Sequence, residues 1–336
     1  MAETGAISNF GQAPDGSDVQ RIELANGHAS AALLTYGATL QEYRIGGVDH
    51  SLVLGGSTLA PYLTPSMRYF GAIVGRVANR IGSGRATLDG RTLKFDRNEN
   101  GITTLHGGSS GSGHCNWTLE EAEESFCRMS LVMPDGENGF PGNLEISATY
   151  RLDEEGALDL ELEAQTDAPT FCNLAHHGYW NLDGTADLSN HRLQIFADRY
   201  LEIDGDKIPL DEPHGVSGTR FDYTSPAPVV TTGKVLDHNF CLTRKRGDFR
   251  EVALLSAGGV KLVISTTEIG LQVYDGNHLA IPGELTLSGR PYGRNAGVAL
   301  EPQAWPDAPN HDTWPSIVLR PGETYRQHSR FHASTA

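Results

Sequence analysis

Apolar and polar residues alternate with a period of two along most of this chain. The pattern is clearest in HASAALLTYGATLQEYRIGG, RATLDGRTLKF, LEISATYRL, LDLELEAQT, VALLSAGGVKLVIST and LQVYDGNHLAI. A two-residue period is that of a strand with one face buried. Asp-Gly, Glu-Gly and Gly-Gly steps separate the runs, at Asp89-Gly90, Asp135-Gly136, Glu155-Gly156, Asp204-Gly205 and Gly258-Gly259. These are hairpin turn residues. No amphipathic helix of three turns and no strand–helix–strand alternation is visible. The pattern predicts an all-β fold, a large antiparallel sandwich or barrel. No fixed-period repeat and no linker-like segment divides the 336 residues, so one domain over 1–336 is expected.

NLAHHGYWNL, residues 173 to 182, reads as strand and carries two adjacent histidines. Successive side chains of a strand leave opposite faces. His176 and His177 therefore point apart if the strand is regular, and only one of them reaches a given site.

Composition narrows the function. Hydrophobic residues make up 38% and charged residues 20%, as in ordinary globular proteins. The net charge of −16 argues against nucleic acid, and RKR at 244–246 is too short to be a basic stripe and reads as a solvated loop. The start lacks a signal-peptide pattern and no apolar run approaches a membrane span. Four scattered cysteines without a CxxC pair fit reduced thiols, and the expected location is cytoplasmic.

GGSSGSG at 107–113 lacks the Lys-Ser/Thr ending of a phosphate loop and reads as a flexible loop. His176-His177 adjacency on a strand is poor ligand geometry, and His114-Cys115 alone is weak, so no metal is expected. His106 in TTLHGG stands at the end of a run before two glycines. Arg80 in GRVANRIGSG offers a donor fork for hydroxyls or a surface ion pair. Glu301 follows the apolar Val298-Ala299-Leu300 and could face a pocket or a rim. Asp237 in KVLDHNF carries the same ambiguity. Tyr179, Trp180 and Trp305 could stack on a sugar or fill a core.

These pieces occur in an order that resembles the aldose 1-epimerase (galactose mutarotase) family: GRVANRI, LHGG, NLAHHGYWNL, VLDHNF, GLQVYDGNHL and ALEPQAWPDAPN. The resemblance implies a large antiparallel β-sandwich with an open cleft. It also implies a mutarotase, an isomerase that exchanges the α and β anomers of a free aldose without a cofactor. The family's catalytic histidine falls on His177, while His176 replaces an asparagine. The LHGG histidine is His106, the ANRI arginine is Arg80 beside Asn79, and Asp237, Gln272 and Glu301 match further site positions. By that resemblance Glu301 is the base and His177 the acid, standing on opposite sides of the sugar. His106 assists, and Asn79, Arg80, Asp237 and Gln272 hold hydroxyls.

The block SSGSGHCNW, His278 and the His176/Gly178 pair depart from the family pattern near the cleft and leave the preferred sugar open. Galactose or glucose is expected, because an acidic sugar would need a further cation. The expected partner is a small-molecule aldose, with no nucleic acid and no membrane, in a monomer or homodimer. Two other readings use the same residues: a non-catalytic sugar-binding protein, and a glycoside hydrolase with Asp237 and Glu301 as its carboxylates.

Overall fold

The computed structural model describes residues 6–210, 212–231 and 235–335. The alternating runs pair into antiparallel ladders. The first four strands, Ala6–Gln12, Asp18–Asn26, Ala29–Leu34 and Thr39–Ile45, form a meander in chain order. A nine-stranded sheet takes most of the remaining regular runs. In it LEISATYRL is the strand Leu144–Leu152 and LDLELEAQT is Leu158–Thr166. They pair without a slip from Leu144 opposite Thr166 to Leu152 opposite Leu158.

The last strand, Tyr325–Thr335, enters the middle of this sheet. Leu158–Thr166 lies on one side of it and Val260–Thr266 on the other. The chain end therefore joins two groups of strands made much earlier. Hairpin turns fall where the dipeptides predict. Asp89 and Gly90 take φ of 49° and 76°, and Gly258 and Gly259 take 59° and 78°. Two positive φ values in succession are the mark of the two-residue turn that matches strand twist.

A six-stranded sheet carries most of the chemistry. Its order is Tyr179–Trp180, Val298–Gln303, Gly270–Tyr274, Asp237–Cys241, Arg199–Tyr200 and His214–Gly215. LQVYDGNHLAI is strand only over its first half, because the Asp-Gly-Asn step turns the chain away. The largest apolar cluster lies among the four-stranded, nine-stranded and six-stranded sheets, and includes Leu24, Leu33, Tyr43, Tyr150, Leu160, Trp180, Leu300 and Phe331. A second cluster gathers Phe95, Phe140, Phe171, Trp305 and Trp314.

Three expectations need correction. NLAHHGYWNL is not one regular strand: Ala175–His176 and Tyr179–Trp180 belong to different sheets. The break occurs because the His177 backbone turns to pair with the 71–72 segment, donating to Ala72 O and accepting from Gly71 N. The 107–113 segment is close-packed. A Cβ on Gly107 would lie 2.1 Å from Gly75 O, and one on Gly111 would lie 2.3 Å from His106 O. The glycines thus allow backbone to touch backbone. In RKR, Arg246 reaches the fully buried Glu268 at 2.8 Å and lies over the Tyr325 ring, so it is not merely solvated.

Candidate active site

Six segments far apart in sequence bring the expected residues to one small cleft of about 180 Å³. Asn79, Arg80, His106, His177, Asp237, Gln272 and Glu301 all line it, together with Tyr69, Tyr179, Lys207 and Tyr274. The volume is below the roughly 300–1,000 Å³ usual for drug-sized ligands. It suits one small ring.

Glu301 comes from the buried strand Val298–Gln303 and lies opposite Gln272 in the neighbouring strand. Its Oε1 is 3.7 Å from Nε2 of His177, and both side chains are almost wholly buried. The two residues expected as base and acid therefore lie side by side rather than across the cleft from one another. Burial, then the charge of Asp237, pushes the Glu301 carboxyl well above its usual range, with Arg80 pulling the other way. Burial drives the His177 imidazole down to about 4, against a backbone hydrogen bond and the field of Asp237. The low dielectric disfavours both charged forms, so between its two titrations the pair holds one proton.

His177 and His176 do point apart. His177 faces Tyr69, His106 and Tyr179. His176 packs against Phe331 in the core, with neither ring nitrogen hydrogen-bonded among the described residues. Burial lowers its pKa to about 3, so it is neutral. Its ring lies over Gly178, where a Cβ would come within 2.4 Å of Cε1. The two departures from the family pattern here are thus one steric unit, a larger ring next to a missing Cβ.

His106 has a left-handed backbone, φ 50°, just before Gly107 at 84°. Its own N–H donates to Asn79 O at 2.9 Å. Its Nδ1 accepts from the Asn79 backbone N–H at 3.1 Å. That bond fixes the tautomer with hydrogen on Nε2. Burial first, then His177, Arg80 and His114, hold its pKa well below the ordinary imidazole value. His106 is therefore a neutral donor.

The Arg80 fork is less free than its sequence context implies. Nε and Nη2 bind the two oxygens of Glu99 at 2.7 and 2.8 Å. The Nη1 group and the second N–H of Nη2 remain, with Nη1 3.5 Å from Asn79 Oδ1. Burial opposes the Arg80 charge, yet Glu99, Asp237 and Glu301 together raise its pKa. Asp237 is likewise engaged at both oxygens, by Lys207 Nζ at 2.7 Å and Gln272 Nε2 at 2.8 Å.

Of the aromatic candidates, Tyr179 lines the cleft. Trp180 and Trp305 are core: Trp180 stacks near Phe331, and Trp305 donates its indole N–H to Ile269 O. His114 lies behind the site, against Tyr69. Sequence reasoning missed Tyr69, Glu99, Lys207 and Tyr274. Tyr69 precedes the GRVANRI block and offered no charge to notice. Lys207 reaches Asp237 from a turn with φ 62°, a contact no spacing rule foreshadows.

The chain is similar to known proteins along most of its length. The family model described as Aldose 1-epimerase matches residues 20–332. A galactose mutarotase of Rattus norvegicus is 38% identical over 346 residues, covering 97% of this chain and 98% of the relative. An aldose 1-epimerase of Escherichia coli strain K12 is 36% identical, covering 93% and 94%. Among solved structures, the GalM/aldose epimerase homologue of C. elegans superimposes with a TM-score of 0.87 at 30% identity, over 94% of this chain and 99% of its own. A galactose 1-epimerase from Lactobacillus acidophilus gives 0.85 at 27% identity, over the whole of both chains. On its sequence, its all-strand fold and the extent of these matches, the chain belongs to the aldose 1-epimerase family.

Proposed function

We propose that the chain, acting as a single unit, interconverts the α and β anomers of a free aldose, with Glu301 as base and His177 as acid. The observation that carries this reading is the buried Glu301–His177 pair at 3.7 Å, facing a cleft the size of one ring. Opening a hemiacetal needs a proton taken from the C1 hydroxyl and one given to the ring oxygen. Both oxygens are bonded to the same carbon. Two groups side by side, rather than facing each other, can serve both at once.

With sugar bound, the C1 hydroxyl donates to the Glu301 carboxylate and the ring oxygen accepts from the His177 imidazolium. These hydrogen bonds favour the charged forms that burial alone opposes. Proton transfer to and from the sugar opens the ring. Rotation about C1–C2 presents the other face of the aldehyde, and the same pair, with roles reversed, recloses it.

The neutral His106 supplies an Nε2–H donor near the reacting end. Asn79, Arg80 through Nη1, Asp237 and Gln272 hold the remaining hydroxyls. The pairing of Asp237 with Lys207 and Gln272 fits a binding role better than that of a hydrolase's second carboxylate. A neutral aldose, galactose or glucose, suits a cleft in which Arg80 and Lys207 are already balanced by Glu99 and Asp237. No helix of the described residues is long and apolar enough to cross a membrane; the proposed setting is cytoplasmic.

Polarimetry on freshly dissolved α-D-galactose and α-D-glucose tests the proposal. The protein should speed the approach to the equilibrium rotation well above the buffer rate. A rotation trace identical to buffer for every aldose tried would reject it.

A further inference from the structure

The further cation that an acidic sugar would need stands just outside the cleft. Tyr69, Tyr179 and Tyr274 wall the cleft on one side and also line a second pocket, of about 240 Å³, which carries Ser66, Arg68 and His278. No Asp or Glu is among its lining residues. Resting on the aldose reading above, we infer that this pocket receives a carboxylate borne on the exocyclic carbon of the sugar, and that the protein's substrates include hexuronic acids as well as neutral aldoses.

Position follows from the bonding of the sugar itself. The ring oxygen is the atom that His177 serves. It is bonded to C5, and C5 carries the exocyclic carbon, C6. A group on C6 therefore comes against whatever flanks His177. The flanking rings are Tyr69 and Tyr179, with centroids 5.9 and 5.1 Å from that of His177. Both belong to the cleft and to the second pocket. A sugar seated with C1 at Glu301 thus extends C6 toward the pocket without displacing the catalytic pair.

Arg68 differs from the other cations of this region. Arg80 is bound by Glu99 and Lys207 by Asp237. Arg68 is half-buried and forms no ion pair among the described residues. Its charge is felt at the ring wall. It opposes the rise that burial gives the Tyr69 phenol, and it adds to the burial that holds the His114 imidazole down at about 4. A half-buried charge without a counter-ion is costly to hold, and a planar carboxylate fits the guanidinium fork. On the far rim the Tyr274 hydroxyl accepts from the His278 backbone N–H at 3.2 Å, which fixes that turn beside the pocket. The net charge of −16 repels anions at long range, but salt screens this beyond about 10 Å at 0.1 M. One fixed arginine balances a carboxylate, whereas a phosphate, at about −1.5 to −2, would stay unbalanced.

The test is polarimetry at pH 7 on freshly dissolved galactose, glucose, galacturonate and glucuronate, in the wild type, Arg68→Ala and Arg68→Lys. The wild type should exchange at least one hexuronate with kcat/KM within about ten-fold of its neutral counterpart. Arg68→Ala should lower that value about ten-fold or more, and Arg68→Lys, which keeps the charge but loses the fork, about two- to five-fold. Galactose should change less than about two-fold in both, which also reports that the variants fold. In the wild type, raising NaCl from about 50 to 500 mM should slow the hexuronate several-fold and leave galactose unmoved, because only the first depends on an ion pair.

A wild type that exchanges galactose but neither hexuronate overturns the inference and spares the aldose reading. A wild type that exchanges nothing rejects the aldose reading itself. Hexuronate exchange that Arg68→Ala leaves unchanged would take the carboxylate out of this pocket, and so also overturn the proposal. So would exchange of glucose 6-phosphate with a higher kcat/KM than either hexuronate, which would assign the pocket to a phosphate.

Discussion

The nine-stranded sheet and the six-stranded sheet use the same backbone chemistry to different ends. Strands of the first run to eleven residues, and its central pairs keep register from end to end. Their inward residues are apolar and fill one core. In the second sheet, three of the six strands are two residues long. Its neighbours break at His177, turn at Asn79 and His106 with positive φ, and rest on glycines that touch backbone. Regular pairing satisfies hydrogen bonds and buries area, but it repeats the same two directions for every side chain. Bringing a carboxylate, two imidazoles and an arginine to one small cleft needs irregular backbone. The regular sheet supplies the stability that holds the irregular segments in place.

Even within GRVANRI the two roles coexist. Arg76 is fully buried and donates to the carbonyls of Pro141, Gly142, Met133 and Pro134, tying loops together. Arg80, four residues on, faces the cleft.

The sharpest way to separate the regions is by substitution. Glu301→Gln should lower kcat/KM for galactose by about 10²–10⁴-fold, the usual worth of a positioned general base. Thermal unfolding should stay close to wild type; a variant with near wild-type rate removes Glu301 from the mechanism. Leu160→Ala, at the centre of the regular sheet, should do the reverse. It should cost about 2–5 kcal/mol in denaturant unfolding and leave kcat per folded molecule unchanged.

The adjacent histidines sharpen the comparison at one residue's distance. His177→Asn should lose about 10²-fold or more in rate, while His176→Asn keeps most of its activity. The opposite ranking, or equal losses, would show that the break at His177 does not separate the two rings.

Two glycines with similar φ, 84° at Gly107 and 76° at Gly90, extend the contrast to the backbone. Around Gly90 there is open space, so Gly90→Ala should cost only about 1–2 kcal/mol for the left-handed conformation. Gly107→Ala must also push against Gly75 O. Unfolding should show a larger loss, and anomer exchange should fall with it because His106 is adjacent. Equal effects on both measurements would mean that the close approach at Gly107 is easily relieved.

The smallest effect is in the pH profile. The working state is the one-proton pair. It is lost on the acid side when His177 gains a proton while Glu301 keeps its own, and on the basic side when the only proton leaves. Since His177 sits at about 4 and Glu301 is raised, kcat/KM should hold from pH 7 down through pH 5 and fall only towards 4. A loss between pH 7 and 6 would place an ordinary imidazole in the role instead.

Sequence alone determined the frame. The period-two runs and the dipeptides at 89–90 and 258–259 act through neighbours along the chain, so strands such as Leu144–Leu152 and the hairpin turns were legible from local order. The ordered blocks also named the cleft residues through family resemblance, and all seven line one cavity. Tertiary structure decided the rest, because it depends on groups that meet only after folding. It set Glu301 beside His177 rather than opposite, occupied the Arg80 fork with Glu99, and brought Lys207 onto Asp237 from a turn thirty residues earlier. It also turned a glycine-rich stretch that reads as loose into close packing, since a missing Cβ permits freedom or contact and only the neighbouring backbone decides which.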